Sequence, residues 1–559
     1  MAPLLPTLIS YVPRLTVARL TDHPQSALQP SLDRIAAAVL FADVSGFTAL
    51  TDRLSQRGRV GSEDLTTILN ASFGRLIAIV LAHGGDVVKF AGDAVVALWP
   101  IGDGQTLAGA TRLAAQCGLA LQGDFAADIA AEHLTLKVQI GAGDIQVLYV
   151  GGVHGRWESM IIGDALLQTN LLVPQTQPGQ VVLSPESWAL IEAHAAGVPL
   201  RAEAMRLEAI RAPLPLPEPA PLGASPGVEK LLRSYVPRAM VARIAAGQKE
   251  WLAELRRVTV LFINLPELSY ATSLQEAHAI VAALQTVIYR YEGSIDKLSV
   301  DDKGVSLLAA LGLPPLAHED DAERAVHAAL DIQKTLRQLK LNSAIGIASG
   351  AVFCGEIGNA QRREYTMIGD VVNVAARLME HAYNDVLCDE RTVAAAQERL
   401  YFTPLPPLNL KGKDEVVPVF RPDAAAQPSA RPNRTIVGRR AELTVLEAAM
   451  AAARDGRGGT YIIEGEAGIG KSTLLETIIR QGRMAGLRVL EGAGQAIEQS
   501  APYRGWRAIV SDLLYLHALP KDEPLRSRVL SVRLDLPADL RPYAPLLNLV
   551  APLELPETA

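Results

Sequence analysis

The segment DVVKFAGDAVVALW, residues 86–99, predicts a β-hairpin. Its two apolar runs, DVVKF and AVVALW, are joined by Ala-Gly-Asp, and glycine and aspartate are favoured in the tight turns of hairpins. Asp93 is therefore expected at the tip of this hairpin.

The residues that precede the hairpin predict an α+β domain. Residues 36–42 are apolar and typical of a strand. Ser62 marks the start of a helix whose apolar side chains recur at helical spacing, and Gly84 and Gly85 end it. The order β, α, β, β, with further α and β elements behind it, is that of a ferredoxin-like α+β domain.

Asp43 follows the first strand in VLFADVSGFTAL, residues 39–50, and two interpretations of it are open. Aspartate followed closely by serine and glycine is common in simple turns at strand ends. If the strand pairs beside the hairpin, however, Asp43 and Asp93 face one point, where two carboxylates repel unless a cation lies between them. Oxygen ligands with room for phosphate suit Mg²⁺ or Mn²⁺. This second interpretation predicts a nucleoside triphosphate bound with two metal ions.

Length and composition narrow the class of protein. A chain of 559 residues has room for three or four domains, and 49% hydrophobic with 20% charged residues is typical of globular proteins. The net charge of −7 argues against nucleic acid as the partner. Three scattered cysteines predict no disulfide framework, no apolar run reaches the ~20 residues of a transmembrane helix, and the first residues lack a basic signal-peptide region. We expect a cytoplasmic protein without a transmembrane segment.

The chain contains an internal duplication. SYVPR occurs at residues 10–14 and again at 234–238. Three further segments recur in the same order: LFADVSGFTAL as LFINLPELSYA (261–271), the hairpin as IDKLSVDDKGVSLLA (295–309), and MIIGDALLQTNLL (160–172) as MIGDVVNVAARLM (367–379). With two proline-rich linkers, this predicts domains at 30–200, 250–422 and 435–559, separated by linkers at 211–230 and 423–434.

Four motifs, LFADVSGFT, KFAGD, EYTMIGDVVNVAAR and LKGK, resemble those of the class III nucleotidyl cyclases. The tandem arrangement ahead of an NTPase region is similar to that of the soluble adenylyl cyclases. The resemblance implies two ferredoxin-like cyclase domains paired head to tail, with two pseudo-symmetric sites between them. Each site takes its metal carboxylates from one domain and its base, ribose and transition-state residues from the other.

The first implied site is complete, and its expected activity is conversion of ATP to cyclic AMP and pyrophosphate. The resemblance assigns metal binding to Asp43 and Asp93, purine recognition to Lys297 and Thr366, the ribose to Asn373, the transferring phosphate to Arg377, the triphosphate to Lys411, and a backbone phosphate cradle to Val44, Ser45, Gly46, Phe47 and Thr48. A lysine donor suits the N1 acceptor of adenine, so ATP is the expected substrate. The plainer alternatives are a solvated strand lysine at position 297 and a surface helix pair at 373 and 377.

The second implied site has lost the polar residues that the chemistry needs. It keeps Asp301 but has Asn264 at the position of Asp43, and Met160, Leu167 and Leu171 at the positions of Thr366, Asn373 and Arg377. Apolar side chains cannot stabilise a phosphoryl anion, so we expect this site to be inactive. In soluble adenylyl cyclases a lysine and an arginine of the degenerate site bind bicarbonate. Lys89 matches the lysine, but Asn170 replaces the arginine, which leaves bicarbonate activation open.

The third region predicts an α/β P-loop domain. In TYIIEGEAGIGKST, residues 460–473, a β-like run is followed by Gly465, Gly470, Lys471, Ser472 and Thr473 in the GxxxxGK[ST] frame, with a helix-forming sequence behind it. VGRRAEL just upstream resembles the entry to AAA-like and STAND-type ATPases. No strand ending in an acidic Walker B pair is recognisable before residue 559, so we expect the front part of a longer protein.

Two other functions fit part of this pattern. The tandem repeat could be a pseudo-cyclase that senses a nucleotide or anion and regulates the P-loop region without turnover, or the NTPase could be the main activity. The losses fall in one site only, which favours the enzyme, and the missing Walker B acid argues against the NTPase.

Overall fold

The computed structural model divides the chain into two compact units, residues 1–428 and 429–559. The boundary falls within the predicted linker at 423–434. The described residues are 4–46, 50, 53–54, 58–92, 94–102, 104–128, 134–218, 227–237, 240–241, 244, 254–268, 271–301, 304–313, 316–318, 320–397, 399–410, 416–423, 439–464, 471–492, 504–514, 516, 534, 536–537 and 539–550.

The first repeat forms one mixed sheet. Its strands are β1 Ser31–Ser45, β2 Asp86–Ala91, β3 Ala94–Pro100, β4 Thr135–Gly151, β5 Trp157–Gly163, β6 Val181–Leu183, β7 Ala195–Pro199 and β8 Met205–Ile210. They lie in the order β2-β3-β1-β4-β6-β8-β7, and β5 pairs with β4. The sheet extends to Ile210, beyond the predicted limit at residue 200.

The helices of the first repeat complete the predicted β, α, β, β, α, β order. They are α1 Leu4–Ser10, α2 Arg14–Asp22, α3 Gly58–Ala82, α4 Leu107–Asp128, α5 Asp164–Leu172 and α6 Pro185–Ile191. The predicted start of α3 at Ser62 is wrong, because the helix begins at Gly58. Serine is tolerated inside a helix, so its preference for the cap does not decide the boundary. The predicted end is confirmed by Gly84, whose φ of 79° favours glycine.

The predicted hairpin is confirmed. β2 and β3 are antiparallel, Ala91 faces Ala94 across the ladder, and Gly92 at the turn has a φ of 70°. Asp93 itself lies outside the described residues. β1 pairs with β3 on one side and with β4 on the other, so the strand that ends beside Asp43 lies next to the hairpin, as predicted.

The two faces of the first sheet have different neighbours. Leu40, Ala42 and Val44 of β1 share a core with Phe73 of α3. Val39 packs instead with Leu166 of α5. Because successive side chains of a strand alternate between faces, Asp43 belongs to the face that carries α5.

The second repeat has the same topology, which confirms the duplication. Its strands are β9 Glu254–Leu265, β10 Ser294–Asp301, β11 Gly304–Leu311, β12 Ala344–Gly358, β13 Arg363–Ile368, β14 Val386–Asp389, β15 Phe402–Leu408 and β16 Val417–Pro422, in the order β10-β11-β9-β12-β14-β16-β15 with β13 on β12. Its helices are α7 Val228–Arg233, α8 Leu274–Arg290, α9 Asp321–Gln338, α10 Asp370–His381 and α11 Glu390–Ala396. Helix α7 overlaps the predicted linker at 211–230.

The second unit is described mainly by three helices, α12 Arg440–Arg454, α13 Lys471–Met484 and α14 Arg504–Leu513, and by a 3₁₀ segment at Arg541–Leu549. The helix predicted behind the glycine-rich loop is confirmed by α13. The strand predicted ahead of that loop is wrong, since residues 460–464 have no strand conformation and Ile462 is 79% exposed. A strand needs a hydrogen-bonded neighbour, and the described residues of this unit provide none.

Two expectations from composition concern the whole chain. Cys117, Cys354 and Cys388 are buried free thiols, in agreement with the absence of a predicted disulfide framework. Among the helices of the described ranges, none combines the length and the apolar character that crossing a bilayer requires.

Candidate active site

Asp43 lies near the end of β1 between two neighbouring strands. It faces Ala94 of β3, the residue directly after Asp93, and Lys137 of β4. Burial raises the pKa of the Asp43 carboxyl, and Lys137 lowers it in part. The backbone therefore places Asp43 opposite Ala94, which directly follows Asp93 in the sequence. In the part of the chain that the structure describes, no three His, Cys, Asp or Glu side chains form a metal cluster, but Asp93 is not in that part.

The turn behind Asp43 is described only as far as Gly46. Val44 is buried, and Gly46 has a φ of 109°, which favours glycine. Phe47 and Thr48 of the predicted phosphate cradle, and Lys411 of the predicted triphosphate contact, lie outside the described residues.

Lys297 and Thr366 are brought together in the interior. The Lys297 Nζ donates a hydrogen bond to Thr366 Oγ1 at 3.1 Å and another to the backbone oxygen of Phe90, in the first repeat, at 3.0 Å. The two residues are 7% and 0% exposed, so the alternative of a solvated strand lysine is wrong. A third contact, at 3.4 Å, joins Lys297 Nζ to Asp296 Oδ2.

Asp296 owes its position to an irregularity of the sheet. The register between β10 and β11 shifts between Ile295 and Lys297, and the equivalent shift in the first repeat lies between Val87 and Lys89. Such a bulge redirects a side chain that a regular strand would place on the opposite face. The side chain of Asp296 is 3% exposed, and burial raises its pKa to about 6 although Lys297 lowers it.

Further buried charges lie around Lys297 and around Lys89, the equivalent lysine of the first repeat. Burial lowers the pKa of Lys89 to about 8, while Glu364 and Glu158 act in the opposite direction. Burial also raises the pKa of Glu158, which is partly offset by Arg156. Sequence analysis missed these acids and Asp296. The signal that could have identified Asp296 is an acid directly before a lysine in an otherwise apolar strand.

Asn373 and Arg377 lie one turn apart on α10, which follows the strand of Thr366 through Gly369. Asn373 is exposed. The Arg377 Nη1 donates to Glu380 Oε1 at 3.0 Å, so the guanidinium is paired on its own helix. An exposed pair at this spacing contributes only about 0.2–0.5 kcal/mol, which a phosphate can readily replace.

Apart from Asp301, the residues of the second implied site are apolar or neutral. Met160 is 1% exposed, and Leu171 is 68% exposed. Asn264 is buried, and its Nδ2 donates to Ser306 Oγ at 3.4 Å. Asp301 ends β10, but its side chain is outside the described set. Asn264 carries no charge, so this site lacks the carboxylate that Asp43 supplies in the first.

The P-loop residues can be placed only in part. Lys471, Ser472 and Thr473 begin α13, and their side chains are not described. Gly465 and Gly470 lie outside the described residues. The helix start at Lys471 agrees with the predicted position of the phosphate loop at a helix N-terminus.

Comparison with known proteins finds two families. Residues 252–420 match the model of the adenylate and guanylate cyclase catalytic domain, and residues 435–554 match that of the AAA ATPase domain. Adenylate cyclase type 10 of Oryctolagus cuniculus is 31% identical over 438 residues, 71% of this chain, and that of Homo sapiens is 31% identical over 433 residues, 70% of this chain. The chain covers 27% of the length of each of these relatives.

Among solved structures, a class III adenylyl cyclase-like ATP-binding protein from Pseudomonas aeruginosa matches 65% of this chain and 85% of its own, with 12% identity and a TM-score of 0.46.

Proposed function

The chain belongs to the class III nucleotidyl cyclases and carries a P-loop ATPase region, and from this premise we propose that it converts ATP to 3′,5′-cyclic AMP and pyrophosphate. The reaction takes place at one site, built from both repeats paired head to tail. The observation that carries the proposal is the buried contact of Lys297 with Thr366, 3.1 Å long, beside the backbone of the first repeat.

The ammonium of Lys297 provides the preference for adenine. Adenine N1 accepts a hydrogen bond, whereas guanine has an N–H at this position and requires an acceptor. An ammonium has three protons; that of Lys297 donates to Phe90 O and to Thr366 Oγ1 and lies 3.4 Å from Asp296 Oδ2. Adenine N1 therefore replaces one of these partners when ATP binds, and the Thr366 hydroxyl is then free to bond the exocyclic amine.

Asp43 and Asp93 are the residues proposed to hold two divalent cations, Mg²⁺ or Mn²⁺. The fit rests on Asp43, whose carboxyl has a pKa raised by burial, because a nearby cation offsets the cost of its buried charge. When bound, the cations supply Lewis-acid activation of the ribose 3′-hydroxyl and neutralise charge on pyrophosphate. The backbone from Val44 to Thr48 cradles the β- and γ-phosphates, as successive N–H groups in a turn can do.

The residues of α10 act on the ribose and on the transferring phosphate. Asn373 orients the ribose so that its 3′-oxygen forms a bond to the α-phosphorus while the bond to the β-phosphate oxygen breaks. Arg377 leaves Glu380 to stabilise the charge that develops on the α-phosphate, and Lys411 holds the triphosphate. The equivalent positions of the other site, Leu167 and Leu171, have no polar group for either task.

The test is production of cyclic AMP by the purified chain with ATP and Mn²⁺. Asp43→Asn is expected to lower the rate on the order of a thousandfold, since metal binding supplies several kcal/mol of transition-state stabilisation. Asp33→Asn is the matched control, because Asp33 lies on the same strand but pairs with Arg19. Binding of ATP without cyclic AMP would overturn the proposal in favour of a regulatory nucleotide-binding module.

A further inference from the structure

Arg362 lies at the junction between the two repeats and is 4% exposed. Its Nε donates to the backbone oxygen of Val87 at 2.8 Å, and its Nη2 to that of Val88 at 3.4 Å. Its Nη1 donates to the backbone oxygen of Tyr11 at 3.2 Å. One side chain of the second repeat thus binds three backbone carbonyls of the first repeat, two of them on strand β2.

The charge of Arg362 is compensated inside the protein. Its Nη2 lies 3.3 Å from Glu364 Oε2, and its Cζ lies 5.3 Å from the ring centre of Phe90. Burial lowers the pKa of the Arg362 guanidinium, and the nearby carboxylates of Glu364 and Asp86 raise it in part. The planar fork of an arginine donates along several fixed directions at once, which a lysine ammonium cannot reproduce.

Strand β2, which Arg362 binds, is connected to both parts of the proposed site, the part that recognises the purine and the part that binds metal. Val87 and Val88 belong to β2, as does Phe90, whose backbone oxygen accepts from Lys297. β2 ends at Ala91, and Asp93 follows two positions later in the sequence. A shift of β2 would therefore move the partner of the purine-reading lysine and a metal-ligand position together.

The equivalent arginine of the first repeat has different partners. Arg156 pairs through Nε with Glu158 Oε1 at 3.0 Å, and its Nη1 donates to the backbone oxygen of Ser234 at 3.4 Å. The two arginines occupy the same place ahead of β5 and β13, yet the described bonds of Arg156 do not reach β10. Arg156 is therefore a matched control for Arg362.

We propose that Arg362 is a positioning residue of the cyclase site. Through the carbonyls of Val87 and Val88 it sets the position of β2, and thereby the oxygen that holds Lys297 and belongs to Phe90, three positions before Asp93 in the sequence. This inference rests on the proposed function: its catalytic readout needs formation of cyclic AMP, and its metal-binding readout needs only the proposed cation site.

The experiment compares Arg362→Lys with Arg156→Lys in the full chain. Mn²⁺ binding is measured by the loss of the free-ion electron paramagnetic resonance signal in the presence of 3′-deoxy-ATP, which cannot cyclise. Loss of a group that orients metal ligands costs about 10–100-fold in affinity or activity, so Arg362→Lys is expected to weaken Mn²⁺ binding and to lower kcat by about tenfold or more. Arg156→Lys is expected to stay within about twofold of the wild-type chain on both measures, because the described bonds of Arg156 do not reach β2.

A purely structural role would lower Tm and leave Mn²⁺ affinity and kcat of the folded protein unchanged, and that result overturns the inference. If Arg362→Lys does not fold, Glu364→Gln is the second variant, because it removes one partner of the guanidinium and keeps its backbone bonds. It is expected to weaken Mn²⁺ binding severalfold. Wild-type Mn²⁺ affinity of Glu364→Gln would then overturn the inference. If the wild-type chain forms no cyclic AMP, the proposed function fails alone, because the binding measurement still tests Arg362.

Discussion

The ammonium nitrogen of Lys297 lies 3.0 Å from the backbone oxygen of Phe90, which precedes it by 207 positions in the chain. The two residues belong to β10 and β2, the equivalent hairpin strands of the two repeats. Phe90 is followed in the sequence by Ala91, Gly92 and Asp93. The lysine proposed to recognise the purine is thus bonded to the strand that leads to a proposed metal ligand. Recognition of the base and binding of metal are therefore expected to depend on the same contact.

Arg377→Ala should lower kcat about a hundredfold or more while leaving folding intact, because its guanidinium is partly exposed and, among the described residues, pairs with Glu380 of its own helix. Leu171→Ala, at the equivalent position of the other repeat, should leave the rate of cyclic AMP formation unchanged, since Leu171 is 68% exposed and has no polar group. Steady-state kinetics with ATP and Mn²⁺ check both variants. Equal losses in the two variants would mean that the assignment of active and inactive sites is wrong.

Local patterns predicted the elements around Asp43 well. The hairpin at residues 86–99, the adjacent central strand and the helix that ends before Gly84 all depend on turn residues and on hydrophobic periodicity, which a single sequence displays. The contact of Lys297 with Thr366 was expected only because the motifs of a known family suggested it. Nothing local in either strand indicates that they meet.

The supporting residues could not be predicted in the same way. Arg362 donates to Val87 O across 275 positions, and such a bond depends on how two folded repeats lie against each other. Asp296 is buried because a bulge shifts the register, and the bulge leaves no clear mark in the sequence. The strand predicted at residues 460–464 failed for the opposite reason, because its β-forming residues lack a described neighbour to pair with.

Stability should depend on pH through Asp296. Burial raises the pKa of its carboxyl from 3.8 to about 6, so the folded protein holds this proton more tightly than the unfolded chain does. The stability that this provides is fully present below pH 3.8 and is lost as the pH rises through about 6. Lys297, Lys89 and Glu364 face the same carboxyl.

Asp296→Asn removes this titration. The stability of the variant relative to the wild-type chain should rise between about pH 4 and pH 6 and then level off, by on the order of 3 kcal/mol in total. Thermal or denaturant unfolding at several pH values measures the difference, and only its pH-dependent part matters, since the amide adds a constant offset. A difference that is flat across this range would contradict the raised pKa.

Lys471→Ala should leave cyclic AMP formation near the wild-type rate, because Lys471 belongs to the compact unit that follows residue 428. The same change should remove ATP binding at the P-loop, since the lysine is the residue that reaches the β- and γ-phosphates. Asp43→Asn is the reciprocal control and should abolish cyclic AMP formation without affecting that binding. Loss of cyclic AMP formation in a folded Lys471→Ala chain would show that the two units are coupled during turnover.

The proposed preference for ATP over GTP is the most specific consequence of the Lys297–Thr366 contact. Replacing Lys297 by Glu and Thr366 by Cys supplies the acceptor that guanine N1–H needs, and mismatched buried partners cost about 1–3 kcal/mol each, or one to two decades of discrimination per contact. The GTP-to-ATP ratio of kcat/KM should therefore rise strongly. The metal-ligand positions and Arg377 are not altered by this change.

The structure adds a requirement to this experiment. Asp296 lies 3.4 Å from the Lys297 ammonium, and Glu364 acts on the same carboxyl, so a glutamate at position 297 would join two acids in a buried place. Like charges there would raise the pKa of the new carboxyl and could leave it protonated, which removes the acceptor that guanine requires. The variant to test is therefore Asp296→Asn with Lys297→Glu and Thr366→Cys, with Asp296→Asn alone as its control. An unchanged GTP-to-ATP ratio in the folded, Mn²⁺-binding triple variant would mean that these positions do not read the purine, and the assignment of ATP would lose its physical basis.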